Sequence, residues 1–261
     1  MTLGAIQAVL ALSTLWQPVQ PGVWQREMQM AAEGPLSVVR VVALRLDPGL
    51  VRFRFDTATR DYGTRGAWKV DRMPVDAVAA VNTGQFIGGI PWGWVVHDGV
   101  EGTVPGTGTL AMAFVVDSAE VPALLGPGEL AKARGHVRLA FQSYPALLTG
   151  NGEIPWELQA PGRGVDLDHR DSRLAIGTLE NGSVVIALTR YTGLGAAGAT
   201  IPWGPTVVEM ATFMKSLGCR RAMMLDGGIS SQMALRGRDG EVRRWPNWRS
   251  VPLALLVSPR G

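Results

Sequence analysis

The sequence predicts an α+β fold, a single domain with a mixed, twisted β-sheet system and a few helices packed on one side of it. Thirty-three glycines and seventeen prolines are dispersed along the 261 residues. Because they follow no fixed period, they indicate many short strands joined by turns rather than a helical bundle. Hydrophobic residues make up 46% of the chain, which is typical of an ordered protein with a packed core. We expect the domain to span residues 18–261.

The first strands are predicted between residues 36 and 55, where β-branched and apolar residues are dense. Val51–Phe55 alternates strictly between apolar and basic residues, as a half-buried strand does. Asp47–Gly49 supplies the turn before it. A short apolar run over residues 75–81 predicts a buried strand that ends at Asn82. A polar residue at a strand end is a candidate for a functional site.

The middle of the chain predicts further strands around a long loop. Residues 118–125 and 129–133 favour short helices, whereas residues 154–171 are rich in Pro, Gly and charge and predict a loop. Asn181-Gly182 predicts a tight hairpin turn. The strands predicted in this part of the chain span residues 94–97, 110–116, 137–141, 173–177 and 184–189.

The clearest helix signal begins at Thr206. Thr206 and Glu209 have the spacing of a capping box, in which each side chain bonds an early backbone N–H of the helix. Gly218 is suited to the left-handed geometry that ends a helix. The strands predicted after this helix span residues 221–225, 232–235 and 251–257.

Residues 1–17 are predicted to be a signal peptide or another N-terminal extension. The apolar stretch over the first 15 residues is too short to span a bilayer. It lacks a basic residue after Met1 and a clean small-x-small cleavage site, so a signal peptide and a plain N-terminal helix both stay open. A signal peptide would make the protein secreted or periplasmic. We expect no stable membrane insertion.

The net charge of +3 is unevenly distributed, with nine Lys/Arg against three Asp/Glu from Thr212 onward. This excess attracts a phosphate-bearing ligand or forms a solvated edge. There is no basic helix or aromatic-interleaved motif, so we expect no nucleic-acid partner. The single cysteine, Cys219, is predicted to be a buried small hydrophobe. The three histidines lack metal-ligand spacing, so we predict no metal and no cofactor.

Asp226 follows an apolar strand, which places its carboxylate at the rim of a sheet. Gly227 and Gly228 leave backbone N–H groups unobstructed, and Ser230 and Ser231 add hydroxyls. Together these groups suit a phosphate beside a carboxylate. The alternative is a plain Asp-Gly-Gly hairpin turn, with the aspartate chosen for its turn hydrogen bonds.

The order of the polar motifs along the chain decides between these interpretations. The motifs, which flank the capped helix, are Asn82-Thr83-Gly84-Gln85-Phe86, Gln142-Ser143-Tyr144-Pro145, Arg173-Leu174-Ala175-Ile176-Gly177, Thr189-Arg190, Leu225-Asp226-Gly227-Gly228-Ile229-Ser230-Ser231 and Arg249-Ser250-Val251-Pro252. In this order, over about residues 20–258, they resemble the phosphodiester glycosidase family, which has many bacterial members. The specificity lies in the order of the motifs more than in any one of them.

The resemblance implies hydrolysis of a sugar joined through its anomeric oxygen to a small-molecule or glycan phosphodiester. It makes Asp226 the catalytic carboxylate and gives Asn82 the role of orienting sugar hydroxyls or the attacking water. Arg190, also catalytic, and Arg173, which binds substrate, would grip the phosphate through bidentate hydrogen bonds. The other residues expected to bind substrate are Thr83, Gly84, Gln142, Gly227, Gly228, Ser230 and Ser231.

Structural roles remain open for several of these side chains. Arg173 and Arg190 could form surface ion pairs, and Asn82 could cap its own turn. Trp92 and Trp94 follow the Asn82 motif and either stack on sugar rings or pack in the core.

Two other functions also remain open. The segment before Arg190 has no acidic residue where the family pattern has Asp-Gly, which favours a non-catalytic protein that binds glycan phosphates. A phosphodiesterase that breaks the P–O bond is the other alternative, although such enzymes usually use a metal cluster.

Overall fold

The structure, a computed structural model, describes residues 15–31, 38–57, 68–191 and 203–260. Within these residues there are nineteen strands and two α-helices. The elements of the first half are β1 (Gln17–Gln20), β2 (Val23–Ala31), β3 (Val38–Leu46), β4 (Val51–Thr57), β5 (Ala79–Asn82), β6 (Phe86–Ile87), β7 (Ile90–Pro91), β8 (Val95–His97), β9 (Val100–Thr103), β10 (Met112–Asp117), β11 (Pro122–Leu125) and α1 (Pro127–Ala133). Those of the second half are β12 (Val137–Ser143), β13 (Ala146–Leu148), β14 (Leu174–Leu179), β15 (Val184–Tyr191), α2 (Val207–Ser216), β16 (Cys219–Met224), β17 (Met233–Arg236), β18 (Val242–Trp245) and β19 (Leu253–Pro259).

Seven strands form the largest sheet, in the order β1-β2-β3-β15-β14-β16-β13. Strand β15 is buried along its whole length, because both faces of the sheet are covered at its centre. This explains the continuous apolar run from Val184 to Leu188, which a half-exposed strand would interrupt with polar residues. Helix α2 packs against β13, β14 and β16 and covers that part of the sheet.

Two five-stranded sheets and a short hairpin complete the described part of the fold. The orders of the two sheets are β11-β10-β12-β8-β9 and β18-β17-β5-β19-β4, and β6 pairs with β7. One hydrophobic cluster takes residues from all three larger sheets, including Val41, Phe53 and Phe141. Phe114 packs edge-on against Phe53, with ring centroids 5.3 Å apart. This shared core is what a single domain requires.

The prediction of an α+β fold is confirmed in its coarse form, but the described residues are richer in strand than a balanced α+β protein. The predicted mixed sheet is corrected as well, since every strand pair of the described residues is antiparallel. The physical reason lies in the connections. Parallel neighbours need long crossovers, usually helical, whereas this chain joins many of its strands by short turns rich in Gly and Pro.

The helix predicted over residues 118–125 is wrong. Pro122–Leu125 is an edge strand, β11, that pairs with β10 and alternates between buried and half-buried residues. The helix near residues 129–133 is confirmed as α1, which begins at Pro127, a residue suited to the first helical position. The strand predicted over 75–81 is shorter, Ala79–Asn82, because the chain turns after Pro74.

The capping box of helix α2 is confirmed. The backbone N–H of Glu209 donates to Thr206 Oγ1 over 3.2 Å, and Glu209 Oε2 accepts from the backbone N–H of Thr206 over 2.8 Å. Gly218 follows the helix with a φ of +85°, a left-handed conformation that favours glycine. The helix therefore begins and ends where its sequence predicts.

The N-terminal prediction is only partly covered by the described residues. Strand β1 begins at Gln17 and pairs with β2, so the sheet starts close to the expected domain boundary at residue 18. Residues 1–14 lie outside the described residues, and the signal peptide stays a prediction. No helix in the described part of the chain has the length and apolar character needed to cross a membrane.

Candidate active site

A cleft of about 220 Å³ lies at the strand ends of the seven-stranded sheet, where β16 ends and β14 begins. Its polar lining comes from Gln85, Asp171, Arg173 and Asp226, and the Tyr144-Pro145 segment closes another side. The antiparallel register explains this convergence. Ala175 pairs with Met224, so the residues before β14 face the residues after β16.

Backbone contacts fix Asp226 at the cleft. Its N–H donates to the carbonyl of Thr83 over 3.0 Å, and its own carbonyl accepts from Asn82 Nδ2 over 2.8 Å. The Asn82 side chain is fully buried, and its Oδ1 accepts from the backbone N–H of Gln232 over 2.9 Å. Asn82 therefore joins β5 to the segments that flank the Asp226 turn. Its amide contacts protein backbone, as the turn-capping alternative requires.

Asp226 carries the most perturbed carboxyl of the site. Burial raises the pKa of this carboxyl to about 6, and the negative charge of Asp171 also raises it. A hydrogen bond from Ser230 and the positive charge of Arg249 act in the opposite direction. Asp226 Oδ2 is buried and has no hydrogen-bond partner among the described residues. A buried acceptor of this kind is suited to a hydroxyl group or a water molecule from outside the protein.

Asp171 is a second carboxylate of the cleft, and the sequence analysis missed it. Its Oδ1 accepts from the N–H of Ser172 over 2.7 Å, and its Oδ2 lies 3.4 Å from His169 Nε2. Burial raises the pKa of Asp171, although the Arg173 charge opposes this. The available signal was position: Asp171 stands two residues before Arg173, which the antiparallel register brings opposite Asp226.

The two glycines of the Asp-Gly-Gly turn allow a close approach between segments. Gly228 has a φ of +57°, and a Cβ at this position would lie 2.6 Å from Asp171 Oδ2. A Cβ on Gly227 would lie 2.8 Å from the carbonyl oxygen of Ser172. Side chains at either position would push Asp171 and Asp226 apart. The glycines thus determine the spacing of the two carboxylates.

Arg173 supplies a buried cation to the same cleft. Its Nε donates to the carbonyl of Pro205 over 3.0 Å, and one terminal nitrogen donates to the carbonyl of His169. The other terminal nitrogen has no partner within the described residues. Burial lowers the pKa of Arg173, while the charges of Asp171, Asp166 and Glu209 raise it. An arginine pKa is so high that the group keeps its charge at neutral pH.

Arg190 is buried too, but both of its terminal nitrogens are engaged with the protein. Its terminal nitrogens donate to the hydroxyls of Ser172 and Ser231 over 2.9 and 3.0 Å and to the carbonyl of Ser231 over 2.6 Å. Further bonds reach the carbonyls of Trp245 and Pro246 over 3.1 and 3.3 Å. Burial lowers the pKa of Arg190 to about 10. These contacts place Arg190 behind the Asp226 turn and give it neither the predicted contact with the cleft nor a surface ion pair.

Three other predicted substrate-binding residues contact backbone. Gln142 Oε1 accepts from the N–H groups of Trp94 and Gly106 over 3.0 and 2.7 Å. Thr83 is buried, and its hydroxyl donates to the carbonyl of Leu253 over 3.2 Å. A Cβ on Gly84 would lie 2.2 Å from the carbonyl oxygen of Gln142. All three hold segments next to the cleft without lining it.

The structure separates the two serines of the turn. Ser230 is the serine that acts on Asp226, because its hydroxyl lowers the pKa of that carboxyl. Ser231 is fully buried, and its hydroxyl donates to the carbonyl of Gly228 over 2.9 Å and also contacts Arg190 and Ser172. Ser231 therefore belongs to the structural network behind the turn.

Of the C-terminal arginines, Arg249 is the one that acts on Asp226. It is exposed, and its guanidinium lies 5.6 Å from the ring centroid of Phe86. Its backbone N–H donates to the carbonyl of Ile229 over 2.9 Å, which ties it to the Asp226 turn. Arg221, by contrast, forms an ion pair with Glu129 at 2.6 Å.

Other residues singled out from the sequence have clear positions. Trp94 is fully buried, which confirms core packing, whereas Trp92 is half-buried. Cys219 is buried in β16, as predicted, and burial raises the pKa of its thiol to about 12. No group of three or more His, Cys, Asp or Glu side chains in the described ranges is arranged to hold a metal ion.

Comparison with known proteins identifies relatives of this chain. A family model described as phosphodiester glycosidase matches residues 75–258. The fold is similar to the catalytic domain of zebrafish N-acetylglucosamine-1-phosphodiester alpha-N-acetylglucosaminidase, auto-inhibited by its pro-peptide, with a TM-score of 0.66, 17% identity and coverage of 97% of this chain and 88% of that one. No curated protein matches the sequence.

Two bacterial structures share the fold at lower similarity. A hypothetical protein from Synechocystis has a TM-score of 0.58 and 15% identity, covering 99% of this chain and 69% of its own. A Burkholderia pseudomallei protein, provisionally described as exported, has a TM-score of 0.52 and 16% identity. The match covers 85% of this chain and 74% of that one. At these identities the likeness concerns the fold.

The raised pKa of Asp226 predicts a pH-dependent cost to stability. Because the folded-state pKa of about 6 exceeds the ordinary value of 3.8, the folded protein binds the proton more tightly. The free energy of unfolding therefore falls as the pH rises from about 4 to 6. Asp226→Asn mimics the protonated form, so we expect it to be more stable than the wild type at pH 7, by up to about 3 kcal/mol, and equal near pH 3.5.

Urea denaturation at both pH values measures this difference. The control is Asp168→Asn, which removes an exposed carboxylate of the same chain and should change stability by less than about 0.5 kcal/mol at either pH. A wild type as stable as Asp226→Asn at pH 7 would contradict the assigned electrostatics.

Proposed function

The chain belongs to the phosphodiester glycosidase family, and on this premise we propose that it hydrolyses the bond between the anomeric carbon of a sugar and a phosphodiester oxygen. The observation that carries the proposal is the convergence of two carboxylates, Asp226 and Asp171, with the buried cation of Arg173 in one cleft. A cation beside carboxylates suits a substrate that carries a phosphate next to a sugar. The products are the free sugar and a phosphomonoester.

The chemistry requires few catalytic groups. A phosphomonoester is a good leaving group, so a strong general acid is needed less than in ordinary glycosidases. Water adds to the anomeric carbon as the C–O bond breaks, the bonding electrons leave with the phosphate oxygen, and a carboxylate takes the proton from water. A positive group next to the departing phosphate stabilises the charge that develops there.

Asp226 is the carboxylate that we assign to this proton transfer. Its pKa, about 6, is well placed for a general base near neutral pH. Its buried Oδ2 has a free acceptor position, which a water molecule or a sugar hydroxyl would occupy. Asp171 acts with it, because its negative charge increases the basicity of Asp226 and its own oxygens can accept sugar hydroxyls.

Arg173 and Arg249 are the groups that we assign to the phosphate. Arg173 lines the cleft and keeps one terminal nitrogen without a partner among the described residues. Arg249 is exposed beside Phe86 and is close enough for its charge to act on Asp226. Two cations near a carboxylate pair would orient the phosphodiester and stabilise the leaving group.

Asn82 and Arg190 are assigned as positioning residues, in place of the direct roles predicted from sequence. Both are buried, and their polar groups contact the Asp226 turn or the segments that carry Asp171. They act through the geometry of these segments. We also propose that Ser230 orients Asp226 and that the backbone of Gly227, which lines the cleft, contacts the substrate.

A location outside the cytoplasm suits this activity. Two observations support secretion or a periplasmic location. The N-terminal stretch is apolar, and the fold is similar to that of the Burkholderia protein that is provisionally described as exported. Carbohydrate phosphodiesters of the cell envelope are then accessible substrates.

Hydrolysis in heavy-oxygen water tests the bond that breaks. With the methyl phosphodiester of α-N-acetylglucosamine 1-phosphate as the probe, C–O cleavage leaves the methyl phosphate unlabelled, because the new oxygen goes to the sugar. Mass spectrometry of the methyl phosphate gives the answer, and labelled phosphate would refute the mechanism. We expect Asp226→Asn to lower kcat by about 100- to 10,000-fold, the usual contribution of a general base.

The pH profile tests the pairing of the two carboxylates. Since a base must be ionised, kcat/KM should rise with pH and level off above the Asp226 pKa of about 6. Asp171→Asn removes a neighbouring negative charge, which lowers the Asp226 pKa and moves the acid limb to lower pH. Asp168→Asn should leave the limb in place. An unchanged limb in Asp171→Asn would exclude the electrostatic coupling.

A glycine substitution tests the spacing of the carboxylates. Gly228→Ala introduces a Cβ 2.6 Å from Asp171 Oδ2, so we expect at least a tenfold loss of kcat/KM. Gly240→Ala is the matched control, because Gly240 also has positive φ, +83°, but no atom lies within 4 Å of the added Cβ. Both variants should lose about 1 kcal/mol of stability from backbone strain. Equal kcat/KM in the two variants would show that the spacing is irrelevant.

A further inference from the structure

An apolar groove lies between residues 104–109 and helix α1. Its volume is about 790 Å³, and its apolar lining includes Val104, Pro105, Leu130 and Ala131. Val104 is 64% exposed, although it is apolar. Arg134 at the border is paired with Glu101 over 2.9 Å, so its charge is compensated. The groove therefore suits an uncharged, apolar ligand.

The base of the β6–β7 hairpin lies between the cleft and the 104–109 segment of the groove. Gln85 lines the cleft, and its carbonyl accepts from the N–H of Trp92 over 2.8 Å. Ile87 pairs with Ile90 across the hairpin. Side chains alternate along a strand, and residues directly opposite each other on paired strands point to the same side. The side chains of Gln85, Ile87, Ile90 and Trp92 therefore share one face of the hairpin. Ile87 is 75% exposed and Ile90 45%, so this face is an apolar surface that starts at the cleft.

Trp92 connects that face to the wall of the groove. The Gly106 backbone lies against the Trp92 ring, since a Cβ on Gly106 would be 2.9 Å from Cζ2. Gln142 holds Gly106 in place, accepting from its N–H over 2.7 Å and donating to its carbonyl over 3.0 Å. Strand β12, which carries Gln142, continues directly into Tyr144 of the cleft. Gln142 thus ties the 104–109 segment of the groove to the strand that leads into the cleft.

The sizes of the two cavities indicate that one ligand occupies both of them. Sites for small molecules usually measure about 300–1,000 Å³, and the cleft of about 220 Å³ falls below this range. The cleft holds the sugar and the scissile phosphate, and the remainder of a phosphodiester must extend beyond it. The groove, about 790 Å³, is large enough for that remainder.

We propose that this groove binds the aglycone of the substrate and that the aglycone is an apolar, lipid-type alcohol joined to the phosphate. This inference rests on the proposed function and names its substrate class. The apolar chain leaves the cleft across Gln85 and Trp92, with Ile87 and Ile90 as an apolar flank, and ends against Val104 and Leu130. Binding energy from this part of the substrate, remote from the reacting atoms, can be used to accelerate the reaction.

A matched pair of substrates tests the proposal on the full-length protein. The probes are the methyl and octyl diesters of α-N-acetylglucosamine 1-phosphate, used below the concentration at which the octyl ester forms micelles. Each methylene that leaves water contributes a factor of about 4. If the groove covers three of the additional methylenes, kcat/KM for the octyl ester exceeds that for the methyl ester by about 60-fold.

Variants locate the effect in the groove. Val104→Asp places a charge in its wall and should remove most of the octyl advantage while leaving the methyl rate unchanged. Ala131→Glu, at an exposed position of α1 that also lines the groove, should do the same. Val121→Asp is the control, since Val121 is 56% exposed but lies outside the groove. Equal rates for the two esters in the wild type, or equal losses for both in Val104→Asp, would overturn the proposal.

A binding measurement separates this inference from the proposed function. Calorimetry with octyl phosphate and methyl phosphate reports on the groove without any reaction. Should neither ester be hydrolysed while octyl phosphate still binds at least tenfold more tightly, with the difference lost in Val104→Asp, the groove assignment stands and the proposed hydrolysis fails. Octyl phosphate that binds no more tightly than methyl phosphate would refute the groove assignment by itself.

Discussion

The buried guanidinium of Arg190 is the contact on which the geometry of the site depends. Its acceptors are hydroxyl and carbonyl oxygens from three separate segments, around Ser172, Ser231 and Trp245, and no carboxylate of the described residues neutralises it. A buried charge is very costly unless polar groups replace the water it has lost, and here protein oxygens do so. Because Ser172 adjoins Asp171 and Ser231 belongs to the Asp226 turn, one cation fixes the backbone behind both carboxylates.

The pairing of Asp171 and Asp226 favours the proposed activity but lowers the stability of the folded protein. Two carboxylates beside each other in a buried cleft repel, and burial disfavours their charged forms, so the fold holds Asp171 and Asp226 in a state that each would avoid in water. The surrounding antiparallel sheets supply the stability that this requires. A site under such strain is where proteins commonly lose stability in exchange for activity. Strand β12, which leads into Tyr144 of the cleft, also holds Gly106 of the groove through Gln142.

Local sequence signals predicted the parts of the fold that depend on local interactions. The capping box at Thr206 and the turn at Asn181-Gly182 are confirmed, because neighbouring residues alone determine them. Sheet partners could not be predicted, since pairing joins residues as distant as Val81 and Leu255. The same limit applies to the site. The motifs gave the location of Asp226, but Asp171 lies in a loop, and the contacts of Arg190 come from segments far apart in sequence.

The single thiol of the chain has a practical and biological consequence. Cys219 is buried in β16, and burial raises its pKa to about 12, so almost none of it is present as the reactive thiolate at physiological pH. Thiolate chemistry, including alkylation and disulfide exchange, is therefore suppressed at this position. Disulfide formation through Cys219 is therefore disfavoured in reducing and oxidising surroundings alike. A cysteine introduced at the surface would react selectively with labelling reagents, without removal of the native one.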